Sequence, residues 1–291
     1  MEKNKCWVCG SEQMFIVKPS NFGKKLTSIF FTITDDSYGM TTELSKCKKC
    51  GFIQSTEQIN LLDYYTDLED PAYESNRKER GMQAKKIIEK IKRYKQKGKL
   101  LDIGAGSGML VEQAIGLGFD AEGIEPSKWL QSKALEHNLP VKLGIFPNPE
   151  LTENYDIITI IDVIEHVDDP VELLKSASNQ LAREGIIAIV TPDVGSLVAK
   201  ILKFKWWHFR IAHVGYFDQK NLDLALQNSG FKKVEVTKAK WYFSCDYLLE
   251  RVKKYLPKFL RFPVPRILSK LTIPLNLHDS LFVIYKKQED D

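Results

Sequence analysis

From Lys99 onward, short apolar runs alternate with segments whose apolar residues recur at helical spacing, the pattern of βαβ units around a parallel sheet. The runs predict strands near 99–103, 120–124, 140–143, 155–161, 185–190, 231–237 and 280–286. Helices fit between them at about 108–117, 127–137, 170–182 and 218–229. Pro170 is placed to start one helix and Gly230 to end another. Seven strands, the last two separated by a long insert, suit an α/β sheet with an antiparallel edge. Upstream, Met82, Ala84, Ile87, Ile88, Ile91 and Tyr94 predict one helix over 73–97, ended by Gly98. Residues 1–55 are rich in Lys, Thr, Ser and Gly and hold too little apolar material for a core of their own. The expected organisation is a small module over 1–55, a linker and helix over 56–98, and an α/β domain over 99–291.

A length of 291 residues fits one main domain with an appendage. A net charge of +4 is mild, and by itself neither demands nor excludes an anionic membrane or RNA. Met1 to Cys9 has no apolar core of the kind a secretory signal needs, and nowhere do 18 apolar residues run uninterrupted, so a cytoplasmic protein is expected. Four of the five cysteines fall in the first 50 residues, as Cys6-Trp-Val-Cys9-Gly10 and Cys47-Lys-Lys-Cys50-Gly51. In a reducing compartment two such knuckles, 37 residues apart, suit one tetrahedral Zn²⁺ held by Cys6, Cys9, Cys47 and Cys50. All four positions would then be filled by protein, which makes the metal structural; a redox pair is the alternative.

In Leu100-Leu-Asp-Ile-Gly-Ala-Gly-Ser-Gly108 a buried-strand run breaks into three glycines and then a helix. Such a turn lets a small molecule lie against the backbone outside the strand's carboxyl end. The third glycine comes one position too early for the Gly-x-Gly-x-x-Gly of dinucleotide folds. One strand later, Glu125 stands where a carboxylate can accept both hydroxyls of a ribose.

Over about residues 75 to 287 the chain resembles the class I S-adenosylmethionine-dependent methyltransferases, in the branch that includes ubiquinone-biosynthesis O-methyltransferases and sugar- or glycan-modifying enzymes. The resemblance is carried by Asp102-Ile-Gly-Ala-Gly-Ser-Gly108, Gly123-Ile-Glu-Pro126, Asp162-Val-Ile-Glu-His-Val-Asp-Asp-Pro170, Gly185-Ile-Ile-Ala-Ile-Val-Thr-Pro192, His213-Val-Gly-Tyr-Phe217 and Ser229-Gly-Phe231. It implies a Rossmann-like seven-stranded sheet. Asp102, Gly104, Ala105, Gly106, Gly108, Glu125, Pro126, Ser127 and Asp162 would then surround S-adenosylmethionine. Many relatives hold the adenine amino group with an Asp after the third strand. Gly144-Ile145-Phe146 offers none, so packing on Ile145 or Phe146 and backbone groups would serve instead. Some members of the branch also carry a similar N-terminal ribbon.

Methyl transfer from a sulfonium needs the acceptor aligned and its proton removed. Asp162, Glu165 and His166 follow the fourth strand of the sheet, and His213 lies in a loop after the fifth, all at the carboxyl edge. His213 and His166 are the candidate bases. The resemblance associates the positions of Asp162, Glu165 and His166 with a divalent cation, which makes a weak Mg²⁺ site conceivable. A Pro-Pro-aromatic motif for nitrogen acceptors is missing where Ile161-Asp-Val-Ile164 stands, which favours oxygen or carbon as the acceptor atom.

Two stretches, at about 196–217 and 245–278, interleave Lys and Arg with Leu, Phe, Trp and Pro. They can form a lid or core packing, a surface for the inner face of a membrane, or an RNA contact. The expected activity is O-methylation of a sugar, glycan intermediate or other small hydroxylated acceptor. An rRNA methyltransferase and a non-catalytic cofactor-binding scaffold are the alternatives, and the mild charge counts against a nucleic-acid partner.

Overall fold

The apolar runs fold, in this computed structural model, into seven strands of one sheet. The structure describes residues 5–22, 27–32, 38–57, 60–151, 154–255, 257, 263 and 265–288. A small antiparallel sheet opens the chain, with β1 (Met14–Lys18), β2 (Leu44–Cys47) and β3 (Ile53–Ser55). Three helices follow: α1 (Leu62–Tyr65), α2 (Pro71–Ser75) and α3 (Arg77–Ile91). The predicted single helix over 73–97 is thus two, since Asp70 caps a separate first turn by accepting from the Tyr73 amide, and Asn76 interrupts. The second ends at Ile91, because Tyr94 leaves the helical stripe and donates its hydroxyl to Glu235.

The main sheet alternates β4 (Lys99–Ile103), α4 (Met109–Gly116), β5 (Asp120–Glu125), α5 (Lys128–Glu136), β6 (Val141–Leu143), β7 (Tyr155–Ile161), α6 (Pro170–Gln180) and β8 (Leu181–Pro192). Then come α7 (Leu197–Leu202), β9 (Gly215–Tyr216), α8 (Gln219–Asn228), β10 (Phe231–Lys238), β11 (Trp241–Ser244), α9 (Cys245–Tyr255), β12 (Thr272–Leu275) and β13 (Ser280–Lys287). The seven-stranded order is β10-β13-β8-β7-β4-β5-β6. The antiparallel strand is not the edge: β13 runs against both β8 and β10 and lies between them. Ile157, Ile158, Ile160, Ile187 and Ile189 fill the centre of the sheet without solvent contact, as a strand covered on both faces requires.

β9 does not belong to that sheet. Its Tyr216 and Gly215 pair with Ile53 and Gln54 of β3, so the fourth strand of the N-terminal sheet comes from the first basic aromatic stretch. Phe52, fully buried, packs against Phe217 with ring centroids 4.8 Å apart. Phe31 stacks on Tyr64 at 4.6 Å, over a patch containing Ala212 and Val214. The described part of the N-terminal module thereby shares one continuous core with the sheet: Cys6, Val8, Cys47 and Phe52 cluster with Ile103, Ile160 and Phe217. Of the second basic stretch, Lys258 and Arg261 lie outside the described residues. Among the described residues no helix is long and apolar enough to cross a membrane.

Candidate active site

At the carboxyl end of β4 the chain turns through Gly104 and Gly106, with φ of +73° and +55°, a conformation that a side chain resists. A Cβ on Gly106 would also meet the Tyr73 hydroxyl at 2.7 Å. Glu125 ends β5 beside this turn. Its two oxygens accept from the Gly106 and Ser127 amides, both at 2.8 Å, which fixes the carboxylate against the loop. Burial pushes the Glu125 carboxyl up to about 7 despite those amides. Asp102 is likewise raised to about 7 by burial, against the pull of the Thr159 hydroxyl at 2.6 Å.

Asp102, Gly104, Ala105, Gly106, Glu125, Pro126, Ile145, Phe146 and Asp162 all line one cavity of about 1430 Å³. That exceeds the roughly 300–1,000 Å³ of a site for one small molecule, so a cofactor and an acceptor can lie side by side. Two residues expected there are elsewhere. Gly108 heads α4, and a Cβ on it would strike Leu139 at 2.7 Å, so it serves helix packing. The Ser127 side chain caps α5, accepting from Leu130, and donates to the Leu68 carbonyl.

His166, His213, Glu165 and Asp162 line the same cavity. The His166 Nδ1 stands 2.8 Å from the Ala212 carbonyl and 2.8 Å from the Tyr65 hydroxyl. Because a carbonyl only accepts, it selects the tautomer with the proton on Nδ1, and the Nε2 lone pair becomes the basic site. The His213 ring stands edge-on to His166, centroids 4.8 Å apart, and its buried Nδ1 has no hydrogen-bond partner among the described residues. His208 stacks on the far side of His213 at 5.8 Å.

Burial, with help from the Arg210 charge, lowers His166 to about 3, and burial and then the neighbouring His166 take His213 well below its usual range. Both imidazoles are therefore neutral throughout the physiological range, and neither titrates near 7 as an exposed histidine would. Glu165 goes the other way, raised by burial and then by Asp162, while the Thr191 hydroxyl donates to it at 2.9 Å. Burial likewise raises Asp162 to about 7.

The expected cation set changes accordingly. One ligand atom each from Glu165, His166 and His213 lie within 4.8 Å of one another, and Asp162 is outside that group. Two imidazoles and one carboxylate do not fit Mg²⁺, which takes oxygen ligands. Among the lining residues that escape a sequence reading are Tyr65, Tyr73, Arg80 and Arg210. Tyr65 stands in a visible aromatic pair, but nothing in its spacing points to a histidine 101 positions away.

The thiols of Cys6, Cys9, Cys47 and Cys50 also converge within 4.8 Å, none in a disulfide. Cys6 lies 3.4 Å from Cys50 and Cys9 lies 3.6 Å from Cys47. Sulfurs about 2.3 Å from a tetrahedral Zn²⁺ stand about 3.8 Å apart, so the residues fit that ion. The hydrogen bond from Cys50 lowers the Cys6 thiol to about 5. Gly10 and Gly51 close the knuckles at positive φ, and the Cys50 amide points at the Cys47 sulfur.

The methyltransferase domain family matches residues 73–236, more than half of the chain, and the chain belongs to that family. Its strand order and glycine turn are those of the class I methyltransferase fold. It is 32% identical over 101 residues to a ubiquinone biosynthesis O-methyltransferase of Caulobacter sp. strain K31, covering 32% of this chain and 40% of that protein. A protein of the same description from Pelagibacter ubique is 36% identical over 99 residues, covering 32% and 41%. The chain thus spans well under half the length of these curated relatives. The crystal structure of an S-adenosylmethionine-dependent methyltransferase from Archaeoglobus fulgidus shares the fold, with a TM-score of 0.52 over 75% of this chain and 100% of that one at 20% identity.

Proposed function

We propose that this protein methylates a hydroxyl oxygen of a small acceptor, such as a sugar or glycan intermediate, with His166 or His213 as the base. The observation that carries the reading is the pair of neutral imidazoles in the cofactor cavity, one oriented by the Ala212 carbonyl and one with an unpartnered buried nitrogen. When bound, S-adenosylmethionine supplies an electrophilic methyl group together with its leaving group. Glu125 would hold the ribose, and Ile145 and Phe146 the adenine. Nε2 of His166 would take the hydroxyl proton of the acceptor, and His213 Nδ1 would hydrogen-bond it. A depressed imidazole is a weak base, but the hydroxyl becomes acidic only as the new bond forms, and charge neutrality keeps the base ready at any ordinary pH.

Cys6, Cys9, Cys47 and Cys50 would hold one structural zinc in residues 1–55, with 56–98 leading into the methyltransferase domain over 99–291. Calorimetry with S-adenosylmethionine and S-adenosylhomocysteine tests the cofactor. Binding of both, lost in Gly106→Arg, is expected, whereas no heat with either but tight NADH binding overturns the assignment. Release of S-adenosylhomocysteine across a panel of hydroxylated acceptors then tests the acceptor class.

A further inference from the structure

Charge in this chain is concentrated where the overall balance hides it. Residues 196–217 contain Lys200, Lys203, Lys205 and Arg210 and no acid, and residues 245–278 contain seven basic residues against two acids, Asp246 and Glu250. The two stretches hold 11 of the 42 basic residues and two of the 38 acidic ones, which leaves the rest of the chain at −5. Lys200, Lys203, Lys205 and Lys270 are exposed, and none forms an ion pair among the described residues.

Beside these lysines stand aliphatic side chains that a soluble surface has no reason to display. In α7, Val198, Ala199 and Leu202 pack inward on Trp206 and Leu44, while Leu197 and Ile201, one turn apart, point out with 73% and 69% exposure. In the second stretch Ile267 is 72% exposed and Leu271 56%. Both stretches reach the same cavity, the first through Leu202 and Lys205, the second through Leu275 and Leu277.

We propose that the exposed side chains of α7 and its following turn, together with those of residues 267–271, seat the enzyme on an anionic lipid bilayer, with the cavity opening beside the contact. Lysines interleaved with aliphatic residues suit anionic headgroups over hydrocarbon, since the charges stay at the headgroups while Leu197, Ile201, Ile267 and Leu271 enter the interface. Single-stranded nucleic acid would instead call for a row of exposed aromatic rings on which bases stack, whereas the most exposed apolar side chains here are aliphatic and Phe204 is 36% exposed. The seating depends on no step of methyl transfer, and its test is separate from cofactor binding.

Sedimentation of the full chain with vesicles of equal parts phosphatidylcholine and phosphatidylglycerol, against phosphatidylcholine alone, measures it. Binding to the anionic vesicles only, weakened by salt, is expected. Lys200→Glu/Lys203→Glu/Lys270→Glu should weaken partition about a hundredfold. Leu197→Asp/Ile201→Asp should weaken it at least tenfold, with S-adenosylmethionine affinity unchanged as the control for folding. Failure to sediment with anionic vesicles overturns the proposal. So does equal sedimentation with both vesicle types, or loss in the lysine variant alone together with tight binding of a mixed-sequence single-stranded RNA.

Discussion

Two groups of metal-capable side chains converge in this molecule, one closed by protein and one open to a cavity. The four thiols of the N-terminal sheet come from two short knuckles, each closed by a left-handed glycine, and lie within 4.8 Å of one another. Glu165, His166 and His213 sit in a large cavity, and burial drives all three toward neutrality. A closed set of anionic ligands suits an ion that holds a fold, whereas an open, neutral set suits a proton that has to move.

The largest expected effect tests the closed set. Structural zinc binding is worth about 10–16 kcal/mol, so Cys47→Ser or a strong chelator should release about one zinc per chain and unfold the N-terminal sheet. Metal analysis and proteolysis of residues 1–55 read this directly. Because β3 carries β9, turnover should fall as well, while S-adenosylmethionine affinity stays within a few-fold. Protein purified without chelator that holds no zinc would erase the comparison.

Next in size, His166→Ala should lower kcat by about 10² to 10⁴ with cofactor affinity nearly unchanged, measured by stopped-time product assays once an acceptor is found. If that variant and His213→Ala both keep native turnover, the open set is not the proton acceptor.

The third effect concerns stability without ligand. Asp102 has its carboxyl raised from 3.8 to about 7, so its stabilising contribution is complete below the lower value and lost as pH rises through the upper one. Asp102→Asn keeps an acceptor for Thr159 and removes the buried charge. It should stabilise the cofactor-free protein by on the order of 4 kcal/mol at pH 8 and much less at pH 5, read from denaturant midpoints. A gain that is the same at both pH values would contradict the assigned ionisation.

The smallest effect has the opposite sign. His166 is lowered from 6.5 to about 3, so the unfolded chain takes up a proton below pH 6.5 that the folded chain refuses, and stability falls with pH. His166→Gln should lose less stability between pH 7 and pH 5, by about 2 kcal/mol. Equal losses would mean that the imidazole is not held neutral.

What the sequence revealed follows the reach of each contact. The glycine turn, Glu125 and both Cys-x-x-Cys-Gly knuckles are written in neighbouring residues, and the helices of the sheet announce themselves through local caps such as Asp169 before Pro170 and the Asp218–Asn221 box. β9 was illegible because two residues carry no periodicity and its partner is Ile53. The site around His166 was only half legible for the same reason: Glu165 is adjacent in sequence, but Tyr65, Ala212 and His213 arrive from distant segments. Ser127 and Gly108 show that a motif position that caps or packs a helix looks the same, in letters, as one that lines a cavity.

The pairing of β3 with β9 also sets an order of events during synthesis. The knuckles emerge from the ribosome early and can take up metal at once, yet the fourth strand of their sheet and the Phe217 ring that covers Phe52 are translated only after most of the main sheet. Until then Phe52 and the open edge of β3 stay unprotected on the nascent chain, a long-range closure that slows folding and invites association with other chains. Slow translation or scarce zinc should therefore show up first as aggregated protein rather than as an inactive soluble enzyme.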